Sequence, residues 1–173
     1  MTEINLLGDL SELRASRVNF NIVIEVTGIE GSGVKDLASL PGLAPFLRGR
    51  AYASLVKDSL MVQATGDVEQ QRAVNVYCAV IPTGLPTSPD SAAHVQRVPG
   101  SCFVQHSVTT SGAPVQLRFP DGVATQLKPK PVWGEQPALA YYFQVLGGQQ
   151  TSVARIRLSG LLEVGGIGFV QTW

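Results

Sequence analysis

The sequence has few charged residues. Only 15% of its 173 residues are charged, against about 25% in a typical globular domain. Its 13 Lys and Arg balance its 13 Asp and Glu, so the formal net charge is zero. A net charge near zero favours association, and 45% of the residues are hydrophobic. We therefore expect much of the surface to be covered by other molecules, for example by copies of the same chain.

Three further absences narrow the class of protein. The chain has no run of about 18 apolar residues, so no transmembrane helix is expected. Residues 1–10 carry Glu3 and Asp9 but no Lys or Arg, unlike a signal or transit peptide. Cys78 and Cys102 are too few for a disulfide framework, and both lie in apolar, strand-like runs. We expect both to be small buried hydrophobes in a protein of a reducing, intracellular compartment.

The dominant pattern has a period of two residues, which is typical of half-buried strands. It is clearest at 18–26, where apolar side chains alternate with mostly polar ones. Turn-forming residues separate the other candidate strands. The alternation and spacing predict an all-β fold, a sandwich or jelly roll of about eight strands. The remaining candidate strands are 4–7, 52–64, 73–81, 101–108, 115–119, 138–146 and 153–164.

The predicted helices are few, short and confined to connections. One is expected at 34–40 with Ser32 as its N-cap, and a short turn should follow around Phe46. A second helix is expected at 89–98, with Ser88 as cap and Pro89 at the first helical position. Residues 123–128 could form one more turn. The glycine-rich segment 28–33 lacks the register of a phosphate-binding loop and is interpreted as a flexible turn.

Alternation also predicts which side chains lie in the core. The last strand, 153–164, has one apolar face and one face that carries Arg155 and Arg157, so it should have a buried and an exposed side. The residues expected inside are Phe20, Ile22, Ile24, Tyr77, Ala79, Phe103, Leu117, Phe143, Ile156 and Leu158.

Residues suited to catalysis are scarce. The chain has two histidines, His94 and His106. A hydrolase site could be assembled from Ser107, His106 and Asp121, but no GxSxG elbow is present. The spacing of the cysteines and histidines matches no zinc finger or ribbon. We expect no enzyme activity, no metal and no cofactor, and a hydrolase that uses His106 is the weakest alternative.

The basic residues form three short clusters and no basic arm. The clusters are 48–50 (Arg-Gly-Arg), 128–130 (Lys-Pro-Lys) and the pair Arg155 and Arg157. Affinity for nucleic acid scales with the number of phosphates that cations neutralise, so one uncharged copy should bind RNA weakly. Many copies around one RNA could still bind it collectively.

Several local motifs follow one another between Gly33 and Gly165. A short helix leads into Leu-Arg-Gly-Arg-Ala-Tyr at 47–52. The strand at 76–82 runs into a Pro-Thr-Ser-Pro loop at 86–89. A short helix and Pro99-Gly100 precede Ser-Cys-Phe-Val at 101–104, and the last strand contains an Ile-x-x-Ser-Gly pattern at 156–160. This order of motifs resembles that of the coat proteins of tymovirus-like icosahedral plant viruses.

The resemblance implies an eight-stranded jelly roll with a few short helices in its loops. It also implies a coat protein that self-assembles into an icosahedral shell, with T=3 packing, around single-stranded RNA. The implied division is 1–30 as N-terminal arm and first strands, 31–164 as capsid domain and 165–173 as tail. The arm would switch between ordered and disordered states.

Under this interpretation the partners are the chain itself and, weakly and collectively, viral genomic RNA, with no membrane. The family neutralises RNA partly by other means, including polyamines. The protein would occur in the virion, and in the host cytoplasm during assembly. A non-viral β-sandwich binding module, lectin-like or trimeric and cytokine-like, is the alternative. The candidate RNA contacts are Arg48, Arg50, His94, Lys128 and Lys130.

Overall fold

Two antiparallel β-sheets make up the fold. The structure is a computed structural model, and it describes residues 16–47, 52–66, 72–82, 89–107, 112–127 and 136–165. Sheet 1 has the strand order β1-β9-β4-β7, and β3 also pairs with β9. Sheet 2 has the order β2-β8-β5-β6. The strands are β1 (Ser16–Thr27), β2 (Glu30–Asp36), β3 (Tyr52–Leu55), β4 (Met61–Thr65), β5 (Val74–Pro82), β6 (Cys102–His106), β7 (Val115–Gln116), β8 (Pro137–Val145) and β9 (Val153–Gly165).

This strand order is that of a jelly roll, and it confirms the predicted fold class. The chain crosses repeatedly between the two sheets, and β3 is an addition to the eight jelly-roll strands. Helices are short, as predicted: a 3₁₀ turn at Leu37–Ser39, α1 at Ala44–Leu47 and α2 at Ala92–Gln96. Among the described residues, no helix is both long and apolar enough to cross a membrane.

The pairing of β1 with β9 is the longest in the molecule's described part. It runs in unbroken register from Ser16 opposite Val164 to Thr27 opposite Val153. Its side chains alternate as predicted, because Ile156 and Leu158 are fully buried while Arg155 and Arg157 are exposed. The predicted strand at 4–7 lies outside the described residues.

The segment predicted as a flexible turn and a helix is instead mostly strand β2. It pairs with β8 from Glu30 opposite Gln144 to Asp36 opposite Ala138. Gly31 lies across from Phe143, and a Cβ on Gly31 would come within 2.8 Å of Phe143 Cε1. The glycines leave room for the aromatic rings of β8, and they also remove the alternation that would have indicated a strand. Only the 3₁₀ turn is helical there, and Asp36, not Ser32, caps it.

The single strand predicted at 52–64 is in fact two strands. The chain turns at Asp58, whose φ of 66° is positive, and β3 and β4 then pair with different parts of β9.

The predicted helical turn at 123–128 is also wrong, because Leu127 N–H donates to the carbonyl of Ala53 at 2.8 Å in an extended pairing. The predicted turn around Phe46 is confirmed by α1. The helix predicted at 89–98 is shorter, since α2 begins after Ser91 and not at Pro89.

The core between the sheets contains most of the residues predicted for it, but Tyr77 and Phe103 are exceptions. Phe103 is 42% exposed, and Tyr77 is only half-buried. On β5 the inward positions are held by Val76 and Cys78, both fully buried. Tyr77 lies between them on the opposite face. Both faces of β5 are apolar, so alternation alone could not indicate which face points inward.

Candidate interaction surfaces

The outer face of sheet 1, called here the polar face, is built mostly from hydrophilic side chains. The register places Glu25 opposite Arg155 and Val23 opposite Arg157, with Gln63 of β4 on the other side of Arg157. Alternation leaves these positions pointing away from the core. The polar face comprises Asn19, Asn21, Val23, Glu25, Gln63, Thr65, Arg155, Arg157 and Ser159.

Two ion pairs link β1 to β9 on this side of the molecule. Arg155 Nε lies 3.6 Å from Glu25 Oε2, and Arg17 Nε lies 3.7 Å from Glu163 Oε2. Arg157 differs, because its neighbours in register, Val23 and Gln63, are uncharged. Its guanidinium is therefore the cation of the polar face best placed to meet an external anion.

A shallow depression of about 500 Å³ lies along β1 and β9 on the polar face. Gly160 lies at an inward position of β9, where a Cβ would come within 3.0 Å of Leu60 and Phe20. Amides and hydroxyls contribute its polar groups, and Phe20 and Leu161 contribute apolar surface. Its lining residues are Asn19, Phe20, Asn21, Ser59, Ser159, Gly160 and Leu161.

The outer face of sheet 2 carries a row of aromatic rings, called here the aromatic row: Phe103, Tyr77 and Tyr142. Tyr77 lies opposite both of the others in register. Its ring centroid is 4.9 Å from that of Phe103 and 6.4 Å from that of Tyr142. These spacings fall in the range of stabilising aromatic pairs. Next to the row, Asn75 lies between Gln105 and Gln144, so amides flank the rings.

Tyr142 ends the aromatic row with a hydrogen bond. Its hydroxyl donates to Glu30 Oε2 of β2 at 2.9 Å. That bond to a carboxylate exists only while the phenol is protonated, so it raises the pKa of Tyr142 above its ordinary value of 10.0. Together with the ring contacts, this hydrogen bond links all four strands of sheet 2 on its outer face.

The other end of the same sheet face is covered. Helix α2 packs against β5 and β8 through its buried Val95. Below it, small residues keep the sheet surface flat, and Ala138 and Ala140 are at most 2% exposed. Ile81 completes this second apolar cluster, against which Val98 packs.

His94, on α2, is the one candidate RNA contact within the described residues. Its side chain is 47% exposed, and its Nδ1 lies 4.0 Å from the Asp90 carboxylate. Nδ1 also accepts a 3.3 Å hydrogen bond from the backbone N–H of Asp90. Because α2 covers sheet 2, His94 lies on the opposite side of the sandwich from Arg157. The other candidates, Arg48, Arg50, Lys128 and Lys130, lie outside the described residues.

The two cysteines are buried, as predicted. They lie directly opposite each other on β5 and β6, a proximity that sequence spacing did not indicate. Within the described ranges, no three His, Cys, Asp or Glu side chains are grouped so that they could hold a metal ion.

The geometry therefore defines a jelly-roll sandwich with one polar and one partly aromatic outer face. Solved virus structures share this fold. A chain of Desmodium yellow mottle tymovirus superposes with a TM-score of 0.63 at 13% identity, covering 88% of this chain and 82% of that one. Turnip yellow mosaic virus gives 0.63 at 17% identity, over 88% and 95%.

Tobacco necrosis virus gives a TM-score of 0.59 at 10% identity, covering 87% of this chain and 95% of that one. Identities this low show a common fold. No protein-family model matches the chain, and neither does any curated protein sequence. The likeness to tymovirus folds inferred from sequence motifs is confirmed at the level of structure.

Proposed function

We propose that the protein is a viral coat protein that assembles into a closed shell. The observation that carries the proposal is the jelly-roll strand order, shared over 88% of the chain with solved virus structures. The structures compared are virus capsids. A lectin-like or cytokine-like sandwich would also have two sheets. Here, however, the match extends over most of the length of the virus chains as well, which favours a coat protein over a binding module.

The composition supports assembly by burial of surface between subunits. A chain with zero net charge and 15% charged residues has little electrostatic repulsion between its copies. Permanent interfaces are large and more apolar than transient ones. Contacts that repeat by rotation can close into a shell. We propose T=3 packing with a switching N-terminal segment that precedes β1, because β1 itself is paired with β9 along its whole length.

We further propose that the shell encloses single-stranded RNA and binds it weakly through many equivalent contacts. The proposed contacts are Arg48, Arg50, His94, Lys128 and Lys130. With no net positive charge, no single copy supplies strong phosphate binding, so affinity must come from the number of copies. In this proposal the protein occurs in the virion, and in the host cytoplasm during assembly, with no membrane partner.

Expression of the full chain, followed by size-exclusion chromatography and negative-stain electron microscopy, tests the shell. We expect closed particles about 300 Å across, the size of a shell of many such domains. A monomer or a trimer at every concentration and salt condition would contradict the proposal and favour a binding module.

RNA packaging needs a separate measurement. Purified particles are treated with nuclease, and the RNA that they protect is quantified. The variant with Arg48, Arg50, Lys128 and Lys130 changed to Gln and His94 to Asn should form particles but protect several-fold less RNA. As a control, Arg17→Gln removes a cation that is already paired with Glu163 and should leave packaging unchanged. Equal protection by both variants would show that the proposed contacts are wrong.

A further inference from the structure

The two buried cysteines form a pair across neighbouring strands. Cys78 of β5 lies directly opposite Cys102 of β6 in the antiparallel register. Residues opposite each other in such a ladder have Cα atoms about 4.5 or 5.5 Å apart. A disulfide requires a Cα separation of about 4.4–6.8 Å. The backbone therefore already holds the two residues at a separation that a disulfide bridge can span.

The two side chains lie on the same face of sheet 2, since both belong to the inward-facing set of their strands. A hydrogen bond from the Cys78 thiol to Cys102 shifts the pKa values of the two groups in opposite directions. Accepting that hydrogen bond lowers the pKa of Cys102, whereas donating it and being buried raise the pKa of Cys78. Cys102 is thus the thiol that more readily becomes a nucleophilic thiolate.

The two cysteines differ in their access to solvent. Cys102 is 8% exposed and belongs to β6, the last strand of sheet 2, which pairs within that sheet only with β5. Cys78 is fully buried on β5, between β6 and β8. Of the two thiols, Cys102 is therefore the one that a small reagent would meet first, at the sheet edge, whereas Cys78 is shielded by strands on both sides.

We propose that Cys78 and Cys102 are a dithiol modification site that small disulfides oxidise to an intramolecular bridge in the folded protein. The Cys102 thiolate attacks one sulfur of the reagent, the reagent's S–S bond breaks, and the departing thiolate takes up the proton that Cys102 lost. Cys78 then gives up its proton and attacks Cys102 Sγ. A second reagent thiol leaves with that proton, so two protein thiols are oxidised and one disulfide is reduced to two thiols.

The bridge would close the segment 79–101, which carries α2 and leads into the edge strand β6. An edge strand held on one side only is among the first parts of a sheet to open. Oxidation would tie β6 covalently to the sheet interior. The protein would then have a looser reduced form and a clamped oxidised form.

The test uses the folded full-length chain with 2-hydroxyethyl disulfide, a small uncharged reagent, followed by acid quenching and intact-mass analysis. The wild type should lose two hydrogens without retaining an adduct, and peptide mapping should join Cys78 to Cys102. Dithiothreitol should reverse the change. Cys78→Ala should accumulate a mixed disulfide on Cys102, and Cys102→Ala should remain at least ten-fold less modified.

Two outcomes would overturn the proposal. One is a wild type that stays reduced in the folded state although the urea-unfolded chain oxidises with the same reagent. The other is a stable mixed disulfide on wild-type Cys102 that Cys78 never resolves. Should either alanine variant fail to fold, iodoacetamide labelling of the wild type before and after oxidation gives the same answer, since bridge formation protects both thiols together.

Discussion

The outer faces of the two sheets are built on different principles, although both cover the same core. On the polar face of sheet 1, most side chains are hydrophilic, and Glu25 and Arg155 form an ion pair. On sheet 2, rings touch along the aromatic row, and the rest of the face lies beneath α2. Substitutions at the outer face of sheet 2 should therefore lower the stability of the fold more than equivalent substitutions at the polar face.

The largest difference in stability between matched substitutions on the two sheets is expected where α2 covers sheet 2. Ala140, which is 2% exposed, lies in the small apolar cluster on that side of β8. Ala140→Leu adds volume where none is available, and we expect a loss of about 1–3 kcal/mol in the free energy of unfolding. Asn21→Leu on the polar face adds a side chain of similar kind in open solvent and should change stability by less than about 0.5 kcal/mol.

Urea unfolding of both variants, followed by tryptophan fluorescence and circular dichroism, checks this difference. Equal stability of the two would mean that the outer face of sheet 2 is as open as that of sheet 1. A lower cost for Ala140→Ser than for Ala140→Leu would assign the effect to volume.

The next comparison concerns two apolar side chains of similar exposure. Phe103 is 42% exposed and Val23 is 49% exposed, but the ring of Phe103 packs at a tilt against that of Tyr77, with the two centroids 4.9 Å apart. Phe103→Ala should cost about 1–2 kcal/mol, because an aromatic pair is lost together with buried area. Val23→Ala should cost about 0.5 kcal/mol or less.

Thermal unfolding by calorimetry measures both variants. Phe103→Leu is the control, because it retains apolar area but not the ring, and it should give an intermediate loss. If Phe103→Ala were as mild as Val23→Ala, exposure alone would determine the cost and the ring contacts would contribute nothing.

The same contrast explains which parts of the fold the sequence could predict. Strands β1 and β9 of sheet 1 were predicted well, because each has one apolar and one polar face, so alternation indicates the buried side. In sheet 2, β5 is apolar on both faces, since Tyr77 joins the aromatic row and Ile81 lies near α2. Alternation therefore placed Tyr77 and Phe103 in the core, where the structure does not have them.

Strand β2 was missed for a different physical reason. Its Gly31 and Gly33 face the rings of Phe143 and Tyr141, so the space is filled from the partner strand. Because β2 has glycine at these inward positions, its sequence shows no alternation of apolar and polar residues. The aromatic row and the Cys78–Cys102 pair depend on register between distant segments, which one sequence does not reveal.

A smaller effect is expected at the end of the aromatic row. Tyr142→Phe removes the hydrogen bond to Glu30 and should cost about 0.5–1 kcal/mol near neutral pH. Since the pKa of Tyr142 is raised in the folded protein, this stabilisation is fully present below the phenol's ordinary pKa of 10.0. It is lost as the pH rises through the higher folded value.

Unfolding of the wild type and the Tyr142→Phe variant at a series of pH values tests the direction of this pH dependence. The stability difference between them should be constant up to about pH 9 and shrink at higher pH. NMR titration of the tyrosine ring should show that Glu30→Gln lowers the pKa of Tyr142 towards its ordinary value. A difference that grew with pH would contradict the assigned hydrogen bond.

The smallest effect should come from the ion pair on the polar face. Glu25 and Arg155 are 58% and 51% exposed, and their closest charged atoms are 3.6 Å apart. Exposed pairs of this kind contribute about 0.2–1 kcal/mol, and their attraction is screened within about 3 Å at 1 M salt. A double-mutant cycle with Glu25→Gln and Arg155→Gln should give a coupling free energy below about 0.5 kcal/mol that disappears in 1 M NaCl.

The equivalent cycle with Tyr77→Ala and Phe103→Ala should give a larger coupling free energy that salt does not weaken, because the aromatic pair depends on contact between the rings and not on charge. Equal salt dependence of the two couplings would remove the distinction between the polar face and the aromatic row.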